Sequence, residues 1–588
     1  MRITTMKKLL EIWQIEPSKS IVILAAKLIQ AMIPTLQIVT IGKILDLAIQ
    51  RTFRYDLFLL LMFCVTYSIL CDSVMKVLWI SLQSAIEKAN EEKMIQTLIH
   101  TRYEYLEQEE MQDRVQRVQK KSSESMIGYF ESVLMLISMI LRITGVFVIL
   151  LQFSVTGAVC IIVTFIPVIW FSIQSGKNQY EIDHDNANLE RYADYLEQIL
   201  NSRECVNERC LFGYFDLICK KWDDVYRQRI RNKIKGIKRW YVKSKAASLL
   251  AALAILTVLG IMLKGVVLSG QNIGLYISVA SSLLSLIYMI ATEFSRSLDK
   301  LAETFSVLKE RRETFELLEQ NQMQITGRND FVSWNEEIEE IEFKNVSFKY
   351  PGTNENVLNN LSFHVKKRES IAFVGENGAG KTTIVKLLTG LYQHFDGEIL
   401  WNGKTIHNQE NFPYEKIFSV VSQNFVKYPL TIKENIVIGN LDKKADTLAV
   451  QAALRAVGLE DRIHKMEAKT DTVLGKLFEG GVDLSGGEWQ RLTIGRMIFA
   501  DKAVQILDEP TAAMDPIAEA EIYNQFRELM KKDKITIMIS HRLGSVKNAS
   551  KIFVLKKGHI IEQGNHEELM AKDGYYAEMY QSQSGWYL

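Results

Sequence analysis

Six apolar stretches, all in the first half of the chain, constrain what this sequence can fold into more than any other feature. Residues 21–44, 57–82, 132–153, 155–173, 246–268 and 273–291 each approach the ~20 residues an α-helix needs to cross the hydrocarbon of a bilayer. The first follows Lys7 and Lys8 and has the outline of a secretory signal. It has no small-residue cleavage site, however, and five similar stretches follow, so it reads as a membrane helix. The 588 residues are 48% apolar and 24% charged, with mean hydropathy at zero. That average fits a membrane-embedded part joined to a charged soluble part.

The connections between spans alternate in length. Those at 46–56, around Ser154, and at 269–272 are short, whereas 83–131 and 174–245 are very long. The second long one carries Arg227, Arg229, Arg231, Lys233, Lys235, Lys238, Arg239, Lys243 and Lys245, which places the long connections and both termini in the cytoplasm. Arg51 and Arg54 on the other side are a small counterweight. The long connections keep helical periodicity, as at 190–200 with Leu196, Ile199 and Leu200 on one side. This predicts membrane helices that continue well past the bilayer and then reverse. Within the spans, Lys27, Asp72, Lys76 and Arg142 are ionisable. Lys27 and Lys76 lie near the cytoplasmic leaflet, where long stems snorkel. Asp72 and Lys76 are four apart and within pairing distance on one helix face. Arg142 lies nearest the middle of its span, which suggests a place on a central cavity as a substrate contact or as a partner for Asp72.

Several classes of function are excluded. A net charge of +1, from 70 basic and 69 acidic residues, supplies no field for nucleic acid. The 6 cysteines (Cys64, Cys71, Cys160, Cys205, Cys210 and Cys219) include no CxxC pair, so neither a zinc site nor a disulfide framework is indicated. With 8 prolines and no Ser/Gly-rich run, long disordered linkers are not expected.

After a polar break the pattern changes to short β runs and helices. The expected organisation is a transmembrane domain over 1–320, a linker over 321–339 and a soluble α/β domain over 340–588. In the soluble part, Gly375-Glu376-Asn377-Gly378-Ala379-Gly380-Lys381-Thr382 follows a strand and opens a helix at Thr383, the setting a phosphate-binding loop requires. Its glycines let backbone N–H groups curl around phosphate oxygens at a helix N-terminus. Lys381 reaches the β and γ phosphates of a nucleoside triphosphate, and the Thr382 hydroxyl is a magnesium ligand. Further on, Ile506-Leu507-Asp508-Glu509 reads as a buried strand ending in two carboxylates. Asp508 suits magnesium, and Glu509 suits polarisation of an attacking water. Gln505 interrupts the apolar run, as a strand partly covered by a loop would allow.

With Leu484-Ser485-Gly486-Gly487-Glu488 between that loop and that strand, the chain resembles the ATP-binding cassette (ABC) transporters, whose signature these residues match. The resemblance implies ATP and Mg²⁺ as cofactors and further roles in chain order. Tyr350 stacks on adenine, and Gln423 senses magnesium and γ-phosphate. Ser485, Gly486 and Gly487 contact the phosphates bound by a partner. Asp515 lies in the loop that crosses the dimer interface, and His541 is the switch histidine. Gly375, Glu376, Asn377, Gly378, Ala379, Gly380, Lys381, Thr382 and Thr383 surround the nucleotide. Two departures stand out: Glu488 where glutamine is commoner, and Ala512-Ala513-Met514-Asp515 where the crossing loop usually reads SALD. Neither removes a phosphate ligand. Since the family closes two ATPs between two such domains head to tail, the chain is expected to pair with a second copy of itself or with a homologous half-transporter.

Six spans ahead of one nucleotide domain resemble the ABC exporter half-transporters over nearly the whole chain. Residues 105–114 are similar to their first coupling segment, and residues 207–214 to the second, which docks on the partner's nucleotide domain. Residues 474–481, leading into the signature and Trp489, resemble bacterial peptide exporters, including those of lantibiotic type. The short stretch ahead of the first span leaves no room for a leader-cleaving peptidase. The implied function is ATP-driven export of a peptide or amphipathic small molecule across the cytoplasmic membrane by alternating access. A lipid flippase and an exporter-fold importer remain open. A regulator or channel that does not transport would have weakened catalysis, which Glu509 and His541 argue against.

Overall fold

The computed structural model describes residues 12–151, 186–202, 205–269, 273–322, 337–405, 414–444, 446–476, 480–510 and 533–584, together with scattered positions between 155 and 182. The chain forms two compact units, one of Met1–Ile99 with Glu110–Gln320, the other of His100–Glu109 with Asn321–Leu588. The sequence division at 320 leaves His100–Glu109 with the helical part, whereas these residues cluster with the second unit.

The first unit is helical. Its elements are α1 (Pro17–Ile49), α2 (Tyr55–His100), α4 (Glu109–Leu151), α5 (Ala187–Asn201), α6 (Val206–Phe212), α7 (Phe215–Ser269), α8 (Ile273–Met289) and α9 (Ser295–Gln320); α3 (Tyr103–Leu106) belongs to the second unit. Four of these helices are long and apolar enough to cross a membrane: α1, α2, α4 and α7. Without water to pair backbone N–H and C=O groups, such segments satisfy them internally as helices. About half of the fourth predicted span, 155–173, lies outside the described residues. The sixth corresponds to α8, which is apolar but shorter, and a π-helical turn at Ile290–Phe294 joins it to α9.

The spans do run on as helices. α2 has 46 residues, about 69 Å at 1.5 Å per residue, more than twice a hydrocarbon core. In its apolar window only 6% is buried, and Leu59, Met62, Phe63, Ile69 and Leu70 stand exposed. Such a surface suits acyl chains, not water. On α5, Ala193 and Leu196 are buried, so the periodicity read over 190–200 marks a packed helix face. Where α8 meets α1 the backbones come close. A Cβ on Gly274 would lie 2.5 Å from the Gly42 carbonyl oxygen, and the Gly274 N–H donates to Asp46 Oδ1 at 2.6 Å. Small residues permit this kind of approach between membrane helices.

The ionisable residues of the spans are arranged differently from the sequence expectation. Lys27 Nζ donates to Gln30 Oε1 (3.2 Å), and Gln30 Nε2 donates to Asp72 Oδ1 (2.7 Å), so Asp72 is held across helices by a buried amide and not by Lys76 or Arg142. Arg142 places Nη1 3.8 Å from Met289 Sδ, while its buried Nε has no hydrogen-bond partner.

The second unit has two sheets. β1 (Glu340–Phe348), β2 (Leu358–Lys366), β4 (Asp396–Trp401) and β5 (Lys404–Thr405) form an antiparallel sheet in the order β2-β1-β4-β5. The other sheet has the order β10-β9-β3-β8-β7-β6, built from β3 (Ser370–Gly375), β6 (Phe418–Val421), β7 (Val504–Asp508), β8 (Ile535–Ile539), β9 (Lys551–Lys556) and β10 (His559–Gly564). All its pairings are parallel except that of β9 with β10. β3, β7 and β8 are buried along their whole length, as strands covered on both faces must be. Their side chains alternate between two cores. Ile371 and Phe373 join Phe343, Phe363 and Trp401 under the antiparallel sheet, while Ala372 and Val374 join Leu492, Leu507 and Met538 on the helical face.

Gln505 sits in the middle of this sheet at 2% exposure, so no loop opens the strand there. It is in register with Ser419 on β6 and Thr536 on β8, and Thr536 in turn with Ser370 on β3. All four are buried, and together they form one polar row across the strands.

Candidate functional site

The parallel strands set the site. β3 ends in the phosphate-binding loop, β6 ends just before Gln423, β7 ends at Asp508 with Glu509 next, and β8 ends just before His541. The carboxyl ends of neighbouring parallel strands form the crevice in which open α/β sheets bind ligands.

In the loop, Gly375 has φ +145°, and a Cβ there would lie 2.1 Å from the Leu555 carbonyl oxygen, so no other residue fits. Gly380 then caps the helix α10 (Lys381–Leu388), whose first N–H groups face the loop. Lys381 is buried and folds back, donating to the carbonyls of Gly375 (2.9 Å) and Glu376 (2.8 Å). Burial pulls its pKa down, and the carboxylates of Glu509 and Asp508 pull it back up. Thr382 hydrogen-bonds the Asp508 carboxyl, whose pKa is pushed up to about 6, first by burial and then by the charge of Glu509. Asp508 Oδ1 is buried without a partner, an arrangement that a cation would complete.

Glu509 sits at φ +51°, a left-handed conformation uncommon for a residue with a side chain, and is fixed there from both sides. Its N–H donates to the Ile539 carbonyl (2.9 Å), and its own carbonyl accepts from Gln490 Nε2 (3.2 Å). Both carboxylate oxygens have partners: Gln423 Nε2 lies 2.8 Å from Oε2, and His541 Nε2 lies 2.8 Å from Oε1. Burial, followed by the Lys381 charge, lowers the pKa of His541 against the pull of Glu509. A neutral imidazole facing a carboxylate at Nε2 carries its proton on that nitrogen.

Tyr350 hydrogen-bonds Thr383 through its hydroxyl (2.9 Å) and packs edge-on against Phe348 and Tyr392. The Lys386 ammonium lies over the rings of Tyr350 (5.2 Å), Tyr392 (5.6 Å) and Tyr103 (5.7 Å) and pairs with Glu107 at 2.9 Å. Burial lowers its pKa, but Glu107 and the tyrosines win and leave it raised. His394 meets the buried Glu104 at 3.0 Å, so the segment bearing α3 is fastened to the second unit at several points.

Ser485 is the N-cap of the helix α12 (Gly486–Ala500), with Gly486 and Gly487 in its first turn. Glu488 completes a capping box, accepting the Ser485 N–H (2.8 Å) while its own N–H bonds Ser485 Oγ (3.2 Å). Arg462 adds a contact at 3.2 Å. The Ser-x-x-Glu spacing gives Glu488 a capping role that glutamine would also fill, and the Arg462 contact is what its charge adds. Gln490, buried in the next turn and tied to Glu509, is a site residue that sequence reasoning passed over. Asp515 and the rest of the crossing loop lie outside the described residues.

Residues 358–512 match the family model described as ABC transporter. The chain is 29% identical over 478 residues to the subtilin transport ATP-binding protein of Bacillus subtilis, covering 81% of this chain and 77% of that protein. It is 29% identical over 446 residues to the ATP-dependent lipid A-core flippase of Pectobacterium atrosepticum, covering 75% and 74%. The solved structure of a bacterial Atm1-family ABC exporter with ATP bound superposes with a TM-score of 0.71 at 22% identity, over 96% of this chain and 98% of that one. This chain is therefore a multi-pass membrane protein that carries an ABC transporter ATPase domain and has the fold of an ABC exporter half-transporter.

Proposed function

We propose that this protein uses ATP hydrolysis at the Glu509 site to export a peptide or amphipathic small molecule across the cytoplasmic membrane, working as a dimer. The observation that carries the reading is the placement of Glu509 between Gln423 and His541, within the charge reach of Lys381. In this reading the loop N–H groups and Lys381 hold the β and γ phosphates, and Tyr350 faces the adenine. Thr382, Asp508 and Gln423 would hold Mg²⁺, which would screen phosphate charge; a buried acid with an unpartnered oxygen beside a hydroxyl fits that ion, which takes few protein ligands. Glu509 orients and polarises the attacking water, and His541 keeps Glu509 and the γ-phosphate aligned.

One chain carries one loop and one signature, so a second copy or a homologous half-transporter supplies Ser485, Gly486 and Gly487 to each nucleotide, with Asp515 at the interface. The exposed Leu211 and Phe212 at the end of α6 are the contact through which that partner's closure reaches the helices. A peptide cargo rests on the likeness to the subtilin transport protein, which covers 81% of this chain; the flippase likeness, over 75% at the same identity, makes lipid the competing cargo.

The test is ATPase turnover of the purified chain in lipid vesicles, with Glu509→Gln beside it and the oligomeric mass measured. Activity from a dimer, abolished by the substitution and stimulated by peptides, is the expected result. Stimulation by lipid alone makes the protein a flippase, and an inactive monomer means that the second half is another chain.

A further inference from the structure

The turn that carries His541 is held by one side chain from the end of the chain. His541 and Arg542 lie between the end of β8 and a short helix that Leu543 opens, outside regular backbone pairing. Gln583 Nε2 donates to the His541 carbonyl at 2.5 Å, and the Leu543 N–H donates to Gln583 Oε1 at 2.9 Å. One carboxamide therefore supplies a donor and an acceptor on either side of the turn, fixing the backbone from which the imidazole projects.

The helix bearing Gln583, α13 (Tyr575–Ser584), is itself firmly placed. Glu562 accepts its first N–H groups, from Tyr575 (2.6 Å) and Tyr576 (3.1 Å). Tyr576 and Ala577 are fully buried, and the Tyr576 hydroxyl bonds His566 Nδ1 (2.9 Å). The same helix reaches the phosphate-binding loop, because the Tyr575 hydroxyl hydrogen-bonds the Glu376 carboxylate. Met579 and Gln583 then wall a cavity of about 240 Å³ whose other sides are Gly375, Glu376, Asn377, Ser540, His541 and Leu543.

We infer that Gln583 is a positioning residue for ATP hydrolysis: its paired hydrogen bonds hold the His541 turn so that the imidazole meets Glu509. Gln583 bonds the backbone on either side of Arg542 and not the Glu509 carboxylate, so its loss should slow turnover and leave nucleotide binding intact. The inference rests on His541 being the residue that aligns Glu509, as proposed above.

The test uses the full chain in lipid vesicles and compares Gln583→Met, Gln583→Glu and His541→Ala by kcat, KM for ATP and melting temperature. Methionine keeps the length and removes both hydrogen bonds; glutamate keeps only the acceptor for Leu543. The expected result is a fall in kcat of about fivefold to tenfold for Gln583→Met, with KM within about twofold and melting unchanged. Gln583→Glu should also fall, since it cannot donate to the His541 carbonyl. Wild-type kcat in Gln583→Met, with His541→Ala strongly slowed, overturns the inference. So does a loss of kcat that appears only together with a lowered melting temperature, which would make Gln583 a packing residue. Full turnover in His541→Ala overturns the His541 reading itself, and this inference with it.

Discussion

The imidazole Nε2 of His541 lies 2.8 Å from Oε1 of Glu509, bringing together two residues that follow neighbouring parallel strands and are 32 positions apart in sequence (541 − 509). A histidine donating here fixes the plane of the carboxylate. With Gln423 on the other oxygen, the carboxylate direction is set before any substrate arrives.

Removing that donor should slow chemistry and spare binding. His541→Ala is expected to lower kcat by about 100-fold with little change in KM for ATP, the cost typical of losing one preorganised donor. Steady-state ATPase measurements over a range of ATP concentrations check this; a rise in KM with unchanged kcat would count against the assigned role.

Gln490 ties α12 to the carbonyl of Glu509, and it is 2% exposed. Gln490→Leu leaves that carbonyl without this donor in the interior, at a cost of about 1–3 kcal/mol. Lower melting temperature and reduced turnover should appear together, because the same bond restrains a residue at positive φ. A variant with wild-type melting would show the bond to be dispensable.

Burial pulls the Glu488 pKa up, but the Ser485 hydrogen bonds and the Arg462 charge win, so it lies below the ordinary carboxyl value. A lowered folded-state value stabilises the protein above the unfolded-state pKa, and that contribution is lost as pH falls through the folded one. Glu488→Gln keeps an acceptor for the Ser485 N–H and drops the charge. Its deficit relative to wild type should therefore be visible near neutral pH and shrink in acid, as melting curves at several pH values would show. Ser485→Ala, which removes the cap itself, should cost about 1 kcal/mol near neutral pH.

Lys386 gathers Glu107 and three tyrosines at the base of α3. Lys386→Met should weaken the hold on residues 103–107 by about 1–2 kcal/mol. Amide exchange in that segment should quicken about tenfold, and unchanged exchange would mean that the Tyr103–Tyr392 packing suffices.

Leu211 and Phe212 are 81% and 76% exposed, just before Gly213 ends α6 in a left-handed conformation. Changing both to alanine removes little packing from this chain, so melting should hold. If they form the coupling contact, ATP hydrolysis continues while cargo movement stops. Full transport by the double variant would remove them from that role.

Much of the site was legible because its residues sit in short local patterns. The phosphate-binding loop declares itself through glycines that only a tight turn after a strand requires, and Asp508 and Glu509 through a run that is apolar on both faces. The Ser485-x-x-Glu488 spacing is likewise that of a capping box. Gln490, Gln583 and Lys386 could not be read this way. Each is an ordinary polar residue on a helix, and its importance comes from a partner 19, 42 or 279 positions away.

Sequence alone determined what is set by composition and local geometry. Apolar runs of membrane length must become helices, a continuous apolar run must become a central strand, and a glycine-rich turn before a helix must present N–H groups to an anion. Tertiary structure decided which side chains meet. It gave Asp72 to Gln30 and not to a neighbour on its own helix, placed Gln505 in a buried polar row, and joined the end of the chain to the His541 turn. The physical reason is range. Helix and strand periodicity act over a few residues, whereas a hydrogen bond across the fold exists only once the strands between its partners have been ordered.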